Sequence, residues 1–333
     1  MTNVGAYEFS RTLRPVGASQ NGLSHTKMGM AGEDYLAWFS SAGPTHDGRM
    51  KPDVVAPGYF IRSAEARPDV VGECDAPNQD GIDGLMYNAG TSMAAPVVAG
   101  MAALIRQYFV EGWYPSGGRV QADSLTPSSS LVKAVLINGA QPLIARQHEN
   151  FSVSPSEEYD VHQGFGAITL IQSLPLAGKN LIQSQVIDRK PMVNTHEDEY
   201  SVTIDKSNGC DEPLSATLVW TDPPGAPSCA LCLINDLDLY ITDQGQSTMF
   251  YPNGRSSRDT VNNAERIRID SVQDGATYLV RVNGTNLETS SQDYSLIITG
   301  CWRSISLSTE SDEKTKRQST MSKSFTNSCC DTS

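Results

Sequence analysis

"NAGTSMAAPVVAG", Asn88 to Gly100, sets one serine between a turn of small residues and an apolar run that carries a proline. Beyond Ser92, Val97, Met101, Leu104, Ile105 and Tyr108 recur at helical spacing, and the pattern stops near Gly112. Pro96 falls in the first turns, where a missing N–H costs little. Ser92 therefore stands at the start of a helix, where a serine has two roles open to it. As a cap, its hydroxyl accepts a backbone N–H, worth about 1 kcal/mol. As a nucleophile, it shares its position with orphan N–H groups and the positive end of the helix dipole, which face an incoming carbonyl and steady an oxyanion. The small neighbours Gly90, Ala94 and Ala95 let a substrate backbone come close. Helix-start physics alone favours the cap.

Upstream, "NVGAY", "YLAWFSSAGPT" and "KPDVVAPG" read as short strands and turns, punctuated by Gly43-Pro44 and Pro57-Gly58. Downstream, "TPSSSLVKAVLINGA" is a second helix: Ser128 to Ser130 supply its cap, Leu131 to Ile137 its body, and Asn138-Gly139 its stop. "HQGFGAITL" reads as a closing strand and short helix, and 178–195 as a linker or first strand. From about 196 the period changes to two. "EYSVTID", "SATLVWTD", "LDLYITD", "ERIRID", "TYLVRVNG" and "DYSLIITG" alternate polar and apolar between turn residues, the pattern of an antiparallel sandwich or jelly roll. After Cys301 the chain is polar and aperiodic, which predicts a disordered tail.

"GTSMAAPVVAG" resembles the nucleophile motif of the subtilisin-like serine proteases, the subtilases. "FSSAGPTHDGRMKPDVVAPG" is similar to the family segment that precedes this motif, and "SLVKAVLINGA" to the helix that follows it. The likeness covers roughly residues 4–175. "LVWTDPPG", "NDLDLYI" and "SLIITG" resemble, more loosely, the P-domain-like β-barrel module of some subtilases. The resemblance implies an α/β fold: a partial doubly wound parallel sheet of subtilisin type over 1–185, an all-β sandwich or jelly roll over 190–302, and a disordered tail over 303–333. It implies a serine-type endopeptidase acting on protein or peptide substrates through an acyl-enzyme on Ser92, and an extracellular location. The alternative is a non-catalytic protein-binding remnant of a subtilase.

The implied mechanism needs a histidine as general base and an aspartate to orient it, in the chain order aspartate, histidine, serine. Asp-Ser/Thr-Gly and His-Gly-Thr contexts do not occur, and neither does the Ala-Ala-Gly-Asn context of the family's oxyanion asparagine. Asn3 lacks that glycine-rich setting. His25 and His46 read as solvated loop residues, and adjacent side chains such as His46 and Asp47 rarely make a base–orienter contact. Asp53 matches a structural position of the family, while His148 and His162 follow Ser92. The chain is expected to be the carboxyl-terminal part of a subtilase, inactive alone because its triad is incomplete.

Composition narrows the field further. The net charge of −13, from 25 basic and 38 acidic residues, argues against a nucleic-acid partner, whose phosphates would be repelled. No run of 18 apolar residues predicts a membrane span, and "MTNVGAYEFSRTLRP" lacks the apolar stretch of a signal peptide. Seven cysteines, an odd count, define no disulfide framework. Cys229 and Cys232 have redox or zinc spacing without a second ligand pair, so a structural role is expected. Asn150 and Asn283 head glycosylation sequons. No cofactor is needed for the chemistry. Asn235, Asp236 and Asp238, with Asn262, Asn263 and Glu265, are oxygen donors suited to a structural calcium ion, though turn chemistry explains the same residues.

Overall fold

The computed structural model describes residues 4–8, 35–64, 85–148, 153–155, 159–245 and 247–302. Asn3, His25, Cys74, Asn150, Cys329, Cys330 and the expected tail at 303–333 lie outside these residues. The first part contains strands β1 (Val4–Glu8), β2 (Tyr35–Leu36), β3 (Val54–Pro57), β4 (Ile61–Ala64) and β5 (Leu85–Asn88). Helices α1 (Thr91–Val110) and α2 (Ser129–Asn138) follow, then strands β6 (Ala145–Gln147) and β7 (Val153–Pro155).

The sheet of this part has the order β3-β1-β2-β6-β7. It corrects the expectation of a parallel sheet. The β1–β3 and β2–β6 pairs are parallel, but β1–β2 and β6–β7 are antiparallel. For β6 and β7 the reason is chain length: a parallel return needs a crossover of a dozen or more residues, and these strands nearly abut in sequence. β4 and β5 form a separate antiparallel hairpin, pairing Ile61 with Asn88.

Helix α1 begins where the sequence places it, but its buried face is rotated. Ala94, Val98, Ile105, Tyr108 and Phe109 are buried, whereas Leu104 is 53% exposed and Val97 and Met101 only flank the core. The helix packs on β1, β3 and α2, and the tight contact is made by Ala94. A Cβ placed on Gly58 would stand 3.1 Å from the Ala94 Cβ and 2.6 Å from the Ala6 Cβ, so only glycine allows this approach. By length and composition α1 is apolar enough to cross a membrane, contrary to the sequence expectation; here Ala94, Val98, Ile105 and Phe109 are buried, while much of the helix, Leu104 and Val110 included, is exposed.

Helix α2 matches its expected limits, with the Ser128 hydroxyl accepting the Leu131 N–H at 3.0 Å. The expected strand and helix in "HQGFGAITL" do not form. Gly164 and Gly166 take φ values of 59° and 100°. The segment instead turns beside β3, trading bonds with Val55 and Gln141.

Eight further strands follow: β8 (Gln183–Met192), β9 (Glu197–Thr203), β10 (Leu214–Trp220), β11 (Asn235–Asp243), β12 (Met249–Phe250), β13 (Ala264–Ile269), β14 (Thr277–Leu287) and β15 (Gln292–Gly300). They form two four-stranded antiparallel sheets, β13-β10-β15-β8 and β12-β11-β14-β9. Alternate residues of both sheets, among them Leu218, Trp220, Leu239, Ile241, Val280 and Leu296, share one apolar core. The Cys210–Cys301 disulfide closes it at one end.

α2 lies on the outer face of the first of these sheets. Asn138, 3% exposed, donates to Thr299 Oγ1 at 2.7 Å and accepts from Ser215 and Thr217, both at 2.9 Å. Arg266 is fully buried and donates to the carbonyls of Ile137 and Ala140 at 2.9 and 2.7 Å, tying the end of α2 to β13. At the other end Asp188 of β8 accepts from the Ser128 N–H and hydroxyl at 2.9 and 2.5 Å. Strands supply partners at both termini of this helix.

Candidate active site

Ser92 is exposed in the first turn of α1. The turn before it is set by Gly90, at φ 154° and ψ 162°, a backbone region essentially open only to glycine. Gly90 donates its N–H to the Gly58 carbonyl at 2.7 Å, which ties the turn to the end of β3. The Gly90 carbonyl accepts from Met93 at 3.0 Å and Ala94 at 3.4 Å. The N–H groups of Thr91 and Ser92 therefore have no acceptor within the helix, and they sit beside the hydroxyl at the positive end of a 20-residue dipole. The capping role fails here: Gly90 is the cap, and no side-chain cap bond forms. Such donors are placed to hold an oxyanion, but attack by the hydroxyl also needs a base to take its proton.

The candidate partners do not gather around this hydroxyl. His46 is exposed in a turn, as expected. Asp47 does not face it; its carboxylate takes bonds from Thr45 Oγ1 at 2.6 Å and Arg49 Nε at 2.7 Å. Burial raises the Asp47 carboxyl, but those bonds outweigh it and hold the group below the usual range. Asp53 is buried against Lys51 and Lys133, at 2.6 and 2.9 Å, pinning α2 to the loop before β3. His148 contacts Ser154 at 2.9 Å, His162 contacts Arg146 and Asp160, and His196 stands 3.5 Å from Asp198 in the sandwich. Among the described residues, no imidazole bonds the Ser92 oxygen.

The oxygen donors nominated for calcium divide into two groups. Asn235 and Asn262 are committed within the protein. Asn235 bonds Thr289 and Gln292, and Asn262 accepts from the Met50 N–H and donates to Asp259. Asn263 donates to the Trp220 carbonyl at 3.1 Å. By contrast Asp236, Asp238 and Glu265 each keep a buried carboxylate oxygen without a partner. Burial, then the neighbouring Asp238 charge, pushes the Asp236 carboxyl up to about 7. Burial likewise raises Asp238, and it raises the fully buried Glu265 strongly. Asp259, missed in the sequence, is wholly buried among Asn253, Asn262 and Arg255 and adds to this negative field. No three His, Cys, Asp or Glu side chains among the described residues group tightly as a metal centre.

Cys229 and Cys232 are bonded to each other. Asn283 of the second sequon lies within β14, paired with Asp238 of β11 and Glu197 of β9, and not in a surface loop.

A family model described as the subtilase family matches residues 4–166, the part that carries Ser92, α1 and α2. Residues 4–166 therefore carry a subtilase-family sequence. Two relatives from Dictyostelium discoideum are similar to most of this chain. The serine protease/ABC transporter B family protein tagD is 32% identical over 80% of it, and tagB is 31% identical over 80%. A C5a peptidase of Streptococcus pyogenes serotype M18 is 29% identical over 54%. The chain spans 17%, 16% and 13% of these relatives' lengths, so the likeness concerns a part of each. The tagD and tagB matches extend well beyond the subtilase segment, which ends at residue 166.

Proposed function

We propose that this chain carries the nucleophile of a serine-type endopeptidase, with Ser92 forming the acyl-enzyme on peptide substrates. The observation that supports it is the turn Gly90–Ser92, which leaves an exposed hydroxyl and two unclaimed N–H groups at the head of α1. In this reading α1 positions Ser92 and stabilises the oxyanion, and the imidazole and its orienting carboxylate come from outside the described residues. The 333-residue chain alone is then inactive, because a serine without its base loses nearly all catalysis. The sandwich from Gln183 to Trp302 supports α2 and, through it, the serine helix. Two disulfides within it accord with an oxidising compartment and hence with the secreted location the resemblance implies.

A fluorophosphonate probe tests the function. Exchanged for the matching part of a relative such as tagD, the chain should be labelled at Ser92 and its Ser92→Ala variant should not, while the 333-residue chain alone shows no proteolysis that Ser92→Ala abolishes. Absence of labelling in the exchanged protein would favour the protein-binding alternative.

A further inference from the structure

The loop between β10 and β11 is held at its base and open at its tip. Asp222 accepts the N–H groups of Ile234 and Asn235 at 2.7 and 2.8 Å, and Trp220 Nε1 donates to the Asn235 carbonyl at 3.0 Å. Above this clamp no residue from Pro223 to Asn235 carries a charge, in a chain of net charge −13. Ala226, Pro227, Ser228 and Ala230 are exposed, and Leu231, between the two bonded cysteines, is 54% exposed. Cys229 and Cys232 are themselves only partly buried, whereas Cys210 and Cys301 are 2% and 1% exposed.

The two disulfides also differ in what they hold. Cys210–Cys301 joins positions separated by 91 residues, Cys229–Cys232 by 3. Closing so small a ring removes far less chain entropy. Asp222 already closes the loop, so the short bond contributes little as a staple. An accessible, weakly structural disulfide in an apolar, uncharged segment is open to exchange.

We propose that Cys229–Cys232 is a thiol–disulfide exchange site for a dithiol oxidoreductase protein that docks on the loop around Leu231. A thiolate of the partner attacks one sulfur of the pair and forms a mixed disulfide. The displaced cysteine leaves as a thiolate and takes up a proton. The partner's second thiol then attacks the mixed disulfide and releases the other cysteine. Two electrons pass from partner to chain, the partner departs as a disulfide, and Cys229 and Cys232 become thiols. The tip of the loop is freed while the Asp222 clamp stays. Thr221 and Pro223, at the foot of this loop, line a polar groove of about 510 Å³ with Ser128 and Tyr294, so exchange acts next to the start of α2.

The full 333-residue chain is treated with graded dithiothreitol or a reduced dithiol oxidoreductase, alkylated, and mapped by mass spectrometry. Cys229 and Cys232 should be modified at roughly tenfold less reductant than Cys210 and Cys301, with the circular dichroism unchanged. Leu231→Ser should slow exchange with the protein dithiol about tenfold and leave the dithiothreitol rate alone. Opening of both disulfides together, or unfolding of the double variant Cys229→Ser/Cys232→Ser, would show the bond to be a staple and overturn the proposal. An unchanged protein-dithiol rate in Leu231→Ser would overturn the docking surface. Neither readout uses Ser92, so this result stands or falls apart from the protease reading.

Discussion

Asp236 shows how a single side chain links burial to pH. Its folded pKa of about 7 lies above the ordinary value of 3.8, so the folded chain binds this proton more tightly than the unfolded one. The stabilisation is complete below about pH 4 and disappears as pH rises through about 7. Asp236→Asn should leave the unfolding midpoint unchanged near pH 4 and raise it at pH 8; an equal rise at both would refute the assignment. Asn138 is the second residue to test. Its amide meets three hydroxyls in a dry interface, and Asn138→Leu, similar in volume, should cost about 2–4 kcal/mol by denaturant titration, because it strands those groups.

At the scale of elements, α1 separates what periodicity can say from what packing decides. Ile105→Ala on the buried face should cost about 2–4 kcal/mol. Leu104→Ser, one residue away and exposed, should change stability by no more than about 0.5 kcal/mol. Comparable losses from the two would mean that the face is misassigned. For α2 the cap is shared between a local serine and a distant carboxylate. Ser128→Ala removes the bond to Leu131 and leaves Asp188 short of a donor, so its cost should lie near the upper end of the capping range, about 2 kcal/mol.

Over the whole molecule, the subtilase segment and the sandwich share polar contacts that neither part could satisfy alone. Arg266 stacks against Tyr159 and Phe165 at 5.0 and 5.5 Å while serving two carbonyls of the first part from a strand of the second. Arg266→Leu should destabilise both parts by about 3–5 kcal/mol and keep a single unfolding transition. Two separated transitions in the native chain would show that the parts fold independently.

Much of this protein was legible residue by residue. The helix starts near Ser92 and Ser128 and the six alternating strands follow from local rules, since caps, turns and period are properties of neighbouring residues, whereas the local expectation of a cap at Ser92 failed. Three features depend on contacts between residues far apart in the chain. The sheet direction is set by connection length and by which edges meet. The buried face of α1 is set by the glycine at 58 beneath Ala94. The charge state of Asp236 is set first by burial, then by its strand neighbour Asp238 and by Arg258 and Asp259 from a distant loop, and the burial is something no single segment contains.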